Sequence, residues 1–199
     1  MDFFTAPDSR AAAAALEVCQ EYTEPWLLHH SLRAHAWAKA YAAQEDIAHD
    51  GELLYVAALL HDLALTAPFD SHELPFEEAG GHLAWVFAAG AGWGRARRKR
   101  LAEVIVLHMG DDVPAEDDPE GHLLQVAVSA DVSGSRVGEF TPEFRAEVVE
   151  RYPRLGFVEA FTARFADQAA RKPGCAAAGL VASDWPRRVR ENPLDLPAR

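Results

Sequence analysis

Apolar positions recur at helical spacing along most of this chain, alanine and leucine are abundant, and runs of β-branched residues are scarce. A first helix is predicted over 9–21. A second opens at Pro25, a residue favoured in the first helical turn, and runs to about Gln44 with Leu27, His30, Ala34, Ala38 and Tyr41 on one face. Asp50 caps a third over 51–64, which is apolar on nearly all sides, as the central helix of a bundle would be. A fourth covers Phe76 to about Ala89, and a fifth spans 95–109 with Leu101, Val104, Ile105 and His108 in a stripe. A sixth, about 122–132, carries Leu124, Ala127, Val128 and Asp131 on one side. Thr141-Pro142 caps and opens a seventh that closes before Pro153, and an eighth covers about 155–171. Residues 66–75 and 110–121 read as loops, and 173–199 as a loosely structured tail wrapping the bundle. No internal repeat or linker interrupts this order. The expectation is a single all-α domain over 1–199, its core at 25–135 covered by helices and tail from 141–199.

Within this pattern LLYVAALLHDLALT, residues 53–66, poses a physical problem, because it carries His61 and Asp62 in a segment built to be buried. A buried charge costs several kcal/mol unless it is paired or bound to a metal. Two other helices show the same arrangement. His30 follows Leu27 by one turn, and Asp131 follows Val128 by one turn and Leu124 by two, on faces that a bundle turns inward. Two imidazoles and two carboxylates, His30, His61, Asp62 and Asp131, form a mixed nitrogen and oxygen shell suited to one divalent first-row ion. Zinc is expected first; iron, manganese and nickel suit the same donors.

Composition narrows the partners. The chain has 199 residues and a formal net charge of −12, from 31 acidic and 19 basic residues. Such a field repels nucleic acid and anionic membranes. One stretch runs against it: GRARRKR, residues 94–100, has five basic residues in seven, read as a solvated helix start or as a rim attracting an anionic substrate. No apolar run reaches the length of a membrane span, and MDFFTAPDSR lacks the order of a secretion signal. Cys19 and Cys175 lie far apart, as expected of free thiols in a reducing cytoplasm. The partners expected are a small-molecule substrate and, for a homo-oligomer, further copies of the chain.

The motifs H30-S-L-R, A58-L-L-H61-D62-L and S129-A-D131-V-S-G resemble the H…HD…D pattern of the HD-domain metal-dependent hydrolases. F76-E-E-A-G-G, V106-L-H108, A130-D-V-S-G and E150-R-Y-P-R-L-G-F resemble its cyanamide hydratase-like branch. The resemblance implies an all-α HD bundle with His30, His61, Asp62 and Asp131 as metal ligands. It also raises the question of a second ion, since some HD families add two histidines, here in the order His82 and His108. His82 follows Gly80-Gly81 instead of preceding the small-residue pair, so one metal is favoured, with His108 either behind a ligand or facing the substrate and His82 either on the helix surface or in the wall of the site.

A divalent ion lowers the pKa of a coordinated water to about 7. Asp62 or Asp131 could orient that water or take its proton, and His108 and Glu77 are candidates for guiding substrate or moving protons. Nucleotide-cleaving HD proteins often carry a glutamate three residues after the HD pair; here that position is Leu65. Three readings follow: a hydrolase or hydratase of a small nitrile- or amide-type compound, a phosphohydrolase, and a di-iron oxygenase using His82 and His108. Phe69, Phe76, Trp85 and Trp93 are candidate walls for an apolar pocket. His29, His35, His49, His72 and His122 are expected at the surface.

Overall fold

Side-chain acceptors mark where several helices begin. Ser9 Oγ, Asp50 Oδ1, Asp118 Oδ1 and Thr141 Oγ1 accept backbone N–H groups of Ala12, Leu53, Gly121 and Phe144 at 3.1, 3.0, 2.7 and 3.3 Å, satisfying donors that a helix start leaves open. The structure, a computed structural model, describes residues 2–110 and 112–195. Asp111 of the acidic loop and 196–199 of the expected tail lie outside the described residues. The helices are α1 (Arg10–Tyr22), α2 (Pro25–Gln44), α3 (Gly51–Leu60), α4 (Phe76–Gly90), α5 (Arg95–Leu107), α6 (Pro119–Ser133), α7 (Pro142–Arg151), α8 (Phe157–Arg171), α9 (Ala176–Val181) and α10 (Trp185–Arg190). Short 3-10 turns lie at Leu63–Leu65 and Val137–Glu139, and no strand occurs among the described residues.

The all-α expectation holds, with two local corrections. The third helix stops at Leu60 instead of continuing to residue 64. Residues 173–195 are not a loose tail: they fold into α9 and α10, which pack on α8 and α6. Proline at the second position of α10 and the buried side chains of Trp185 and Val189 explain why so short a helix holds.

Two apolar clusters result. One gathers α1, α2, α3, α5 and α6 around Trp37, Tyr55 and Leu59; the other joins Phe157, Phe161, Phe165 and Trp185 to Leu27, Leu65 and Phe76. Residues around the HD pair divide between them: Leu60 and Leu63 belong to the first cluster, Ala64 and Leu65 to the second. Gly80 and Gly81 let α4 come close. A Cβ on Gly80 would lie 3.4 Å from the His61 carbonyl oxygen, and one on Gly81 3.0 Å from Val106 Cγ2 and 3.2 Å from the Ala102 carbonyl oxygen.

Three of the five basic residues in the basic run are held in ion pairs. Arg97 pairs with Asp50 and Glu52 and stacks 3.8 Å over Trp93; Arg100 pairs with Asp118 and Glu120; Lys99 pairs with Glu103. It fastens α5 to the starts of α3 and α6, and none of its residues lines the cavity described below. Among the described residues no helix is long and apolar enough to cross a membrane. Both cysteines are free and buried, and burial pushes the Cys19 thiol up to about 11.

Candidate metal centre

Adjacent residues in a helix point about 100° apart, so His61 and Asp62 can share a target only if the helix breaks between them. It does. His61 ends α3, and Asp62 takes φ −104°, ψ 5°, the bridge conformation frequent at functional sites, before the 3-10 turn. The two side chains thereby converge: Asp62 Oδ2 lies 3.2 Å from His61 Nε2 and 3.3 Å from His30 Nε2, and the two Nε2 atoms are 3.2 Å apart. All three residues are buried.

The outer nitrogens fix the protonation of the inner ones. His61 Nδ1 donates to the Ala58 carbonyl at 2.9 Å, and His30 Nδ1 donates to Asp131 Oδ2 at 2.7 Å. Each neutral ring therefore presents the lone pair of Nε2 inward. Two nitrogen lone pairs and a carboxylate oxygen face one point, and Asp62 Oδ2 has no aligned hydrogen-bond donor. Three acceptors with no donor between them fit a cation. His30, His61 and Asp62 are the one group of His, Cys, Asp or Glu side chains among the described residues whose ligand atoms converge this way. Burial alone would lower the His30 pKa, but its hydrogen bonds to Asp131 and Asp62 outweigh that and the net direction is upward. A proton thus competes with a cation for the same place. Burial keeps the His61 ring neutral, the Asp62 charge only partly opposing it.

Asp131, the fourth ligand expected from the sequence, is not in this group. Its carboxylate is fully buried and accepts four hydrogen bonds: Oδ1 from Arg33 Nε at 2.8 Å and Trp37 Nε1 at 2.9 Å, Oδ2 from Arg33 Nη2 at 2.9 Å and His30 Nδ1 at 2.7 Å. Four acceptances fill the lone-pair sites of a carboxylate. Asp131 therefore stands behind His30, in the carboxylate–histidine arrangement that orients metal-binding imidazoles. Burial would raise its pKa, yet Arg33 with His30 and Arg154 holds it well below the usual carboxylate range.

His108 lies beside the group of His30, His61 and Asp62. Its ring lies 5.0 Å from that of His61, Nδ1 donates to the Ile105 carbonyl, and Nε2 faces Asp62 Oδ1 at 3.7 Å. His82 does not join it. It is exposed on α4, in a separate surface groove with Trp85, Lys99 and Glu103. Glu77 is buried and its Oε2 has no partner among the described residues. Burial raises its pKa, partly opposed by its own backbone hydrogen bond and by nearby His108. It does not line the metal-site cavity. Of the other histidines His35 corrects expectation: it is buried with its ring edge-on to Tyr55.

The cavity above the three ligands measures about 430 Å³ and opens to solvent. His30, His61, Asp62 and His108 form its floor; Phe161, Phe165 and Trp185 wall it; Ser129, Ser133, Ser135, Arg136 and Arg188 lie toward its mouth. The expected walls lie elsewhere. Trp93 stacks under Arg97, Trp85 is exposed, and Phe69 packs on Tyr22; Phe76 alone is near, its ring 5.7 Å from His108. The residues missed were Arg33, Trp37, Arg154 and the aromatics of α8 and α10. One signal was available for Arg33: a charged residue one turn after His30 on a buried helix requires a buried partner.

This all-helical bundle, with a histidine–histidine–aspartate group at the floor of a cavity, defines a class. The HD domain family model matches residues 27–131, and the chain belongs to the HD domain family as a metal-dependent hydrolase or hydratase. Two proteins of Saccharomyces cerevisiae, Cyanamide hydratase DDI2 and Cyanamide hydratase DDI3, are each 30% identical to it over 173 residues, spanning 84% of this chain and 76% of theirs. These similarities place the chain in the cyanamide hydratase-like branch.

Proposed function

We propose that the protein adds water to the nitrile-type carbon of a cyanamide, converting it to the corresponding urea, with one divalent ion held by His30, His61 and Asp62. The observation that carries this reading is the convergence of three lone-pair atoms beside His108 on the floor of a cavity. When bound, a divalent ion supplies a water of pKa about 7 and polarises the carbon–nitrogen bond. Asp131, clamped by Arg33, holds the His30 ring so that Nε2 faces inward. Nδ1 of His108 is engaged by the Ile105 carbonyl, so its Nε2 carries a lone pair into the cavity. That nitrogen is positioned to take the proton water loses and to return it to the substrate nitrogen. Phe161, Phe165 and Trp185 keep bulk water from that side.

Zinc is the ion proposed, on the ligand chemistry of two imidazoles and a carboxylate with an open position, and a reducing compartment agrees with two free, buried thiols. The phosphohydrolase reading loses support, since Arg97 and Arg100 of the basic run are occupied by Asp50, Glu52, Asp118 and Glu120 and none of the run lines the cavity. Leu65 is buried where an assisting glutamate would stand. The oxygenase reading needs His82 beside His108, and the two lie in different depressions.

Metal analysis of protein purified without added metal, followed by urea formation from cyanamide, tests the proposal. One zinc per chain and turnover that a chelator abolishes are expected. Phosphate release from a panel of nucleotides, with no urea formed, would overturn it.

A further inference from the structure

The cavity is too large for cyanamide alone. One carbon and two nitrogens occupy about the volume of two waters, roughly 60 Å³ at ~30 Å³ per water, against about 430 Å³ here. Cavities of this size normally serve ligands with a ring or a chain attached to the reacting group, typically in the range of roughly 300–1,000 Å³. The cavity is also graded along its depth. The metal ligands and His108 lie at the floor, buried. Along one side Phe165 and Trp185 stack at 4.8 Å between ring centroids and 26° between planes, with Phe161 against both. This preformed flat apolar wall offers a surface to an aromatic or planar group.

The mouth is different. Ser129, Ser135 and Arg188 border it, and Arg188 Nη1 donates a long hydrogen bond of 3.4 Å to Ser135 Oγ. The other guanidinium there, Arg136, is held by both carboxylate oxygens of Glu139. Arg188 has no ion pair among the described residues, its neighbour Asp184 being paired to Arg187. In a protein with a formal net charge of −12, Arg188 is thus a guanidinium without an ion pair among the described residues at the entrance to a metal site, with Asp184, engaged by Arg187, and the lining residue Asp112 as the nearby carboxylates. It offers planar paired donors to a carboxylate.

We propose that the natural substrate is an N-substituted cyanamide, or a related nitrile, bearing a planar apolar group that lies along Phe161, Phe165 and Trp185 and an anionic group received by Arg188 at the mouth. This rests on the hydratase reading above for the reacting end. Water adds across the carbon–nitrogen triple bond, its oxygen going to carbon and both its hydrogens to nitrogen, and a substituted urea from the cyanamide, or an amide from the nitrile, leaves with no co-reactant consumed.

The test compares cyanamide, phenylcyanamide and 4-carboxyphenylcyanamide as substrates of the zinc-loaded protein, and separately measures calorimetric binding of 4-carboxyphenylurea and phenylurea. The kcat/KM should rise along the series, with roughly a tenfold advantage for the carboxylate over the unsubstituted ring. That advantage should disappear in Arg188→Gln, and Trp185→Ala should lower kcat/KM for phenylcyanamide. The urea carrying the carboxylate should bind wild type more tightly than phenylurea, and Arg188→Gln should lose the difference. If cyanamide is turned over but neither aryl compound is better and neither urea binds, the subsite is wrong and the hydratase reading stands. If no cyanamide is hydrated yet the carboxylate-dependent binding persists and needs Arg188, the subsite stands and the hydratase reading falls.

Discussion

Asp131 Oδ2 and His30 Nδ1 lie 2.7 Å apart, on the side of the imidazole opposite His61 and Asp62. This single contact decides which His30 nitrogen bears a proton and which faces His61 and Asp62. It also turns the carboxylate to the outer side of the ring, where Arg33 and Trp37 occupy its remaining lone pairs.

Asp131→Asn should therefore weaken binding of the proposed divalent ion, tested with zinc, by about 10- to 100-fold without abolishing it, the range typical of a lost partner behind a metal-bound histidine. Competition against a chromophoric chelator measures this directly. Total loss of binding, equal to that of His61→Ala, would place Asp131 among the ligands themselves.

Arg33 is fully buried, and besides Asp131 it reaches the carbonyls of Tyr152 and Pro153 at 3.0 and 3.2 Å. Replacing it with leucine strands the Asp131 charge in the core. Such a break costs about 3–5 kcal/mol, and urea unfolding should register a lower midpoint. A loss below ~1 kcal/mol would contradict the clamp.

Asn192 ties the C-terminal segment to the end of α6. Its amide donates to the Asp131 carbonyl at 2.9 Å and lies 3.2 Å from that of Val132, while Arg154 donates to the same Asp131 carbonyl at 2.9 Å. Gly134 makes the approach possible. At φ +69° a Cβ would meet Pro193 Cδ at 2.7 Å. Asn192→Ala is expected to cost about 1–3 kcal/mol through unsatisfied buried carbonyls. Gly134→Ala should release the segment, detectable as faster amide exchange in α10; unchanged exchange there would refute the tie.

His35 predicts acid sensitivity of the fold. Burial, with Lys39 and His49 adding repulsion, lowers its pKa from 6.5 to about 3. Between those values the unfolded chain binds a proton that the folded chain refuses, so stability is full above pH 6.5 and falls as pH drops through that window. The loss is about 1.4 kcal/mol per pH unit. Wild type should lose about that much more stability than His35→Leu between pH 5.5 and 4.5, well inside the window. Parallel losses in both proteins would show that another group is responsible.

Arg100 belongs to the fastening of α5, not to the site. Arg100→Ala should lower the thermal midpoint, at a cost of about 1 kcal/mol for a half-buried pair with Asp118 and Glu120. It should leave kcat/KM for cyanamide within twofold. A large change in KM would revive the basic run as a substrate rim.

The helices were legible because their signals are local. The face of α2 carrying Leu27, His30, Ala34, Ala38 and Tyr41 follows from 3.6-residue spacing, and all five are buried. Asp50 and Thr141 announce their helix starts by residue type. The short α9 and α10 were not legible, since six residues give too few turns for a period and their stability comes from packing Trp185 and Val189 on α8 and α6.

The sequence by itself determined that His30, His61 and Asp62 lie on buried surfaces, because apolar neighbours at helical spacing leave them nowhere else to point. It also determined the donor chemistry, two imidazoles and carboxylates in an apolar surround. Only the tertiary structure decided that α3 breaks at His61 so that neighbours converge, and that Asp131 turns to Arg33 and the back of His30. It likewise assigned Arg97 and Arg100 of the basic run to Asp50, Glu52, Asp118 and Glu120, and the aromatic wall to the last helices. The physical reason is the same in each case. A residue's face is set by the few residues around it, but the partner of a charge or a ring comes from another element, 18 to 101 residues away in the pairs above, and only packing brings that partner within reach.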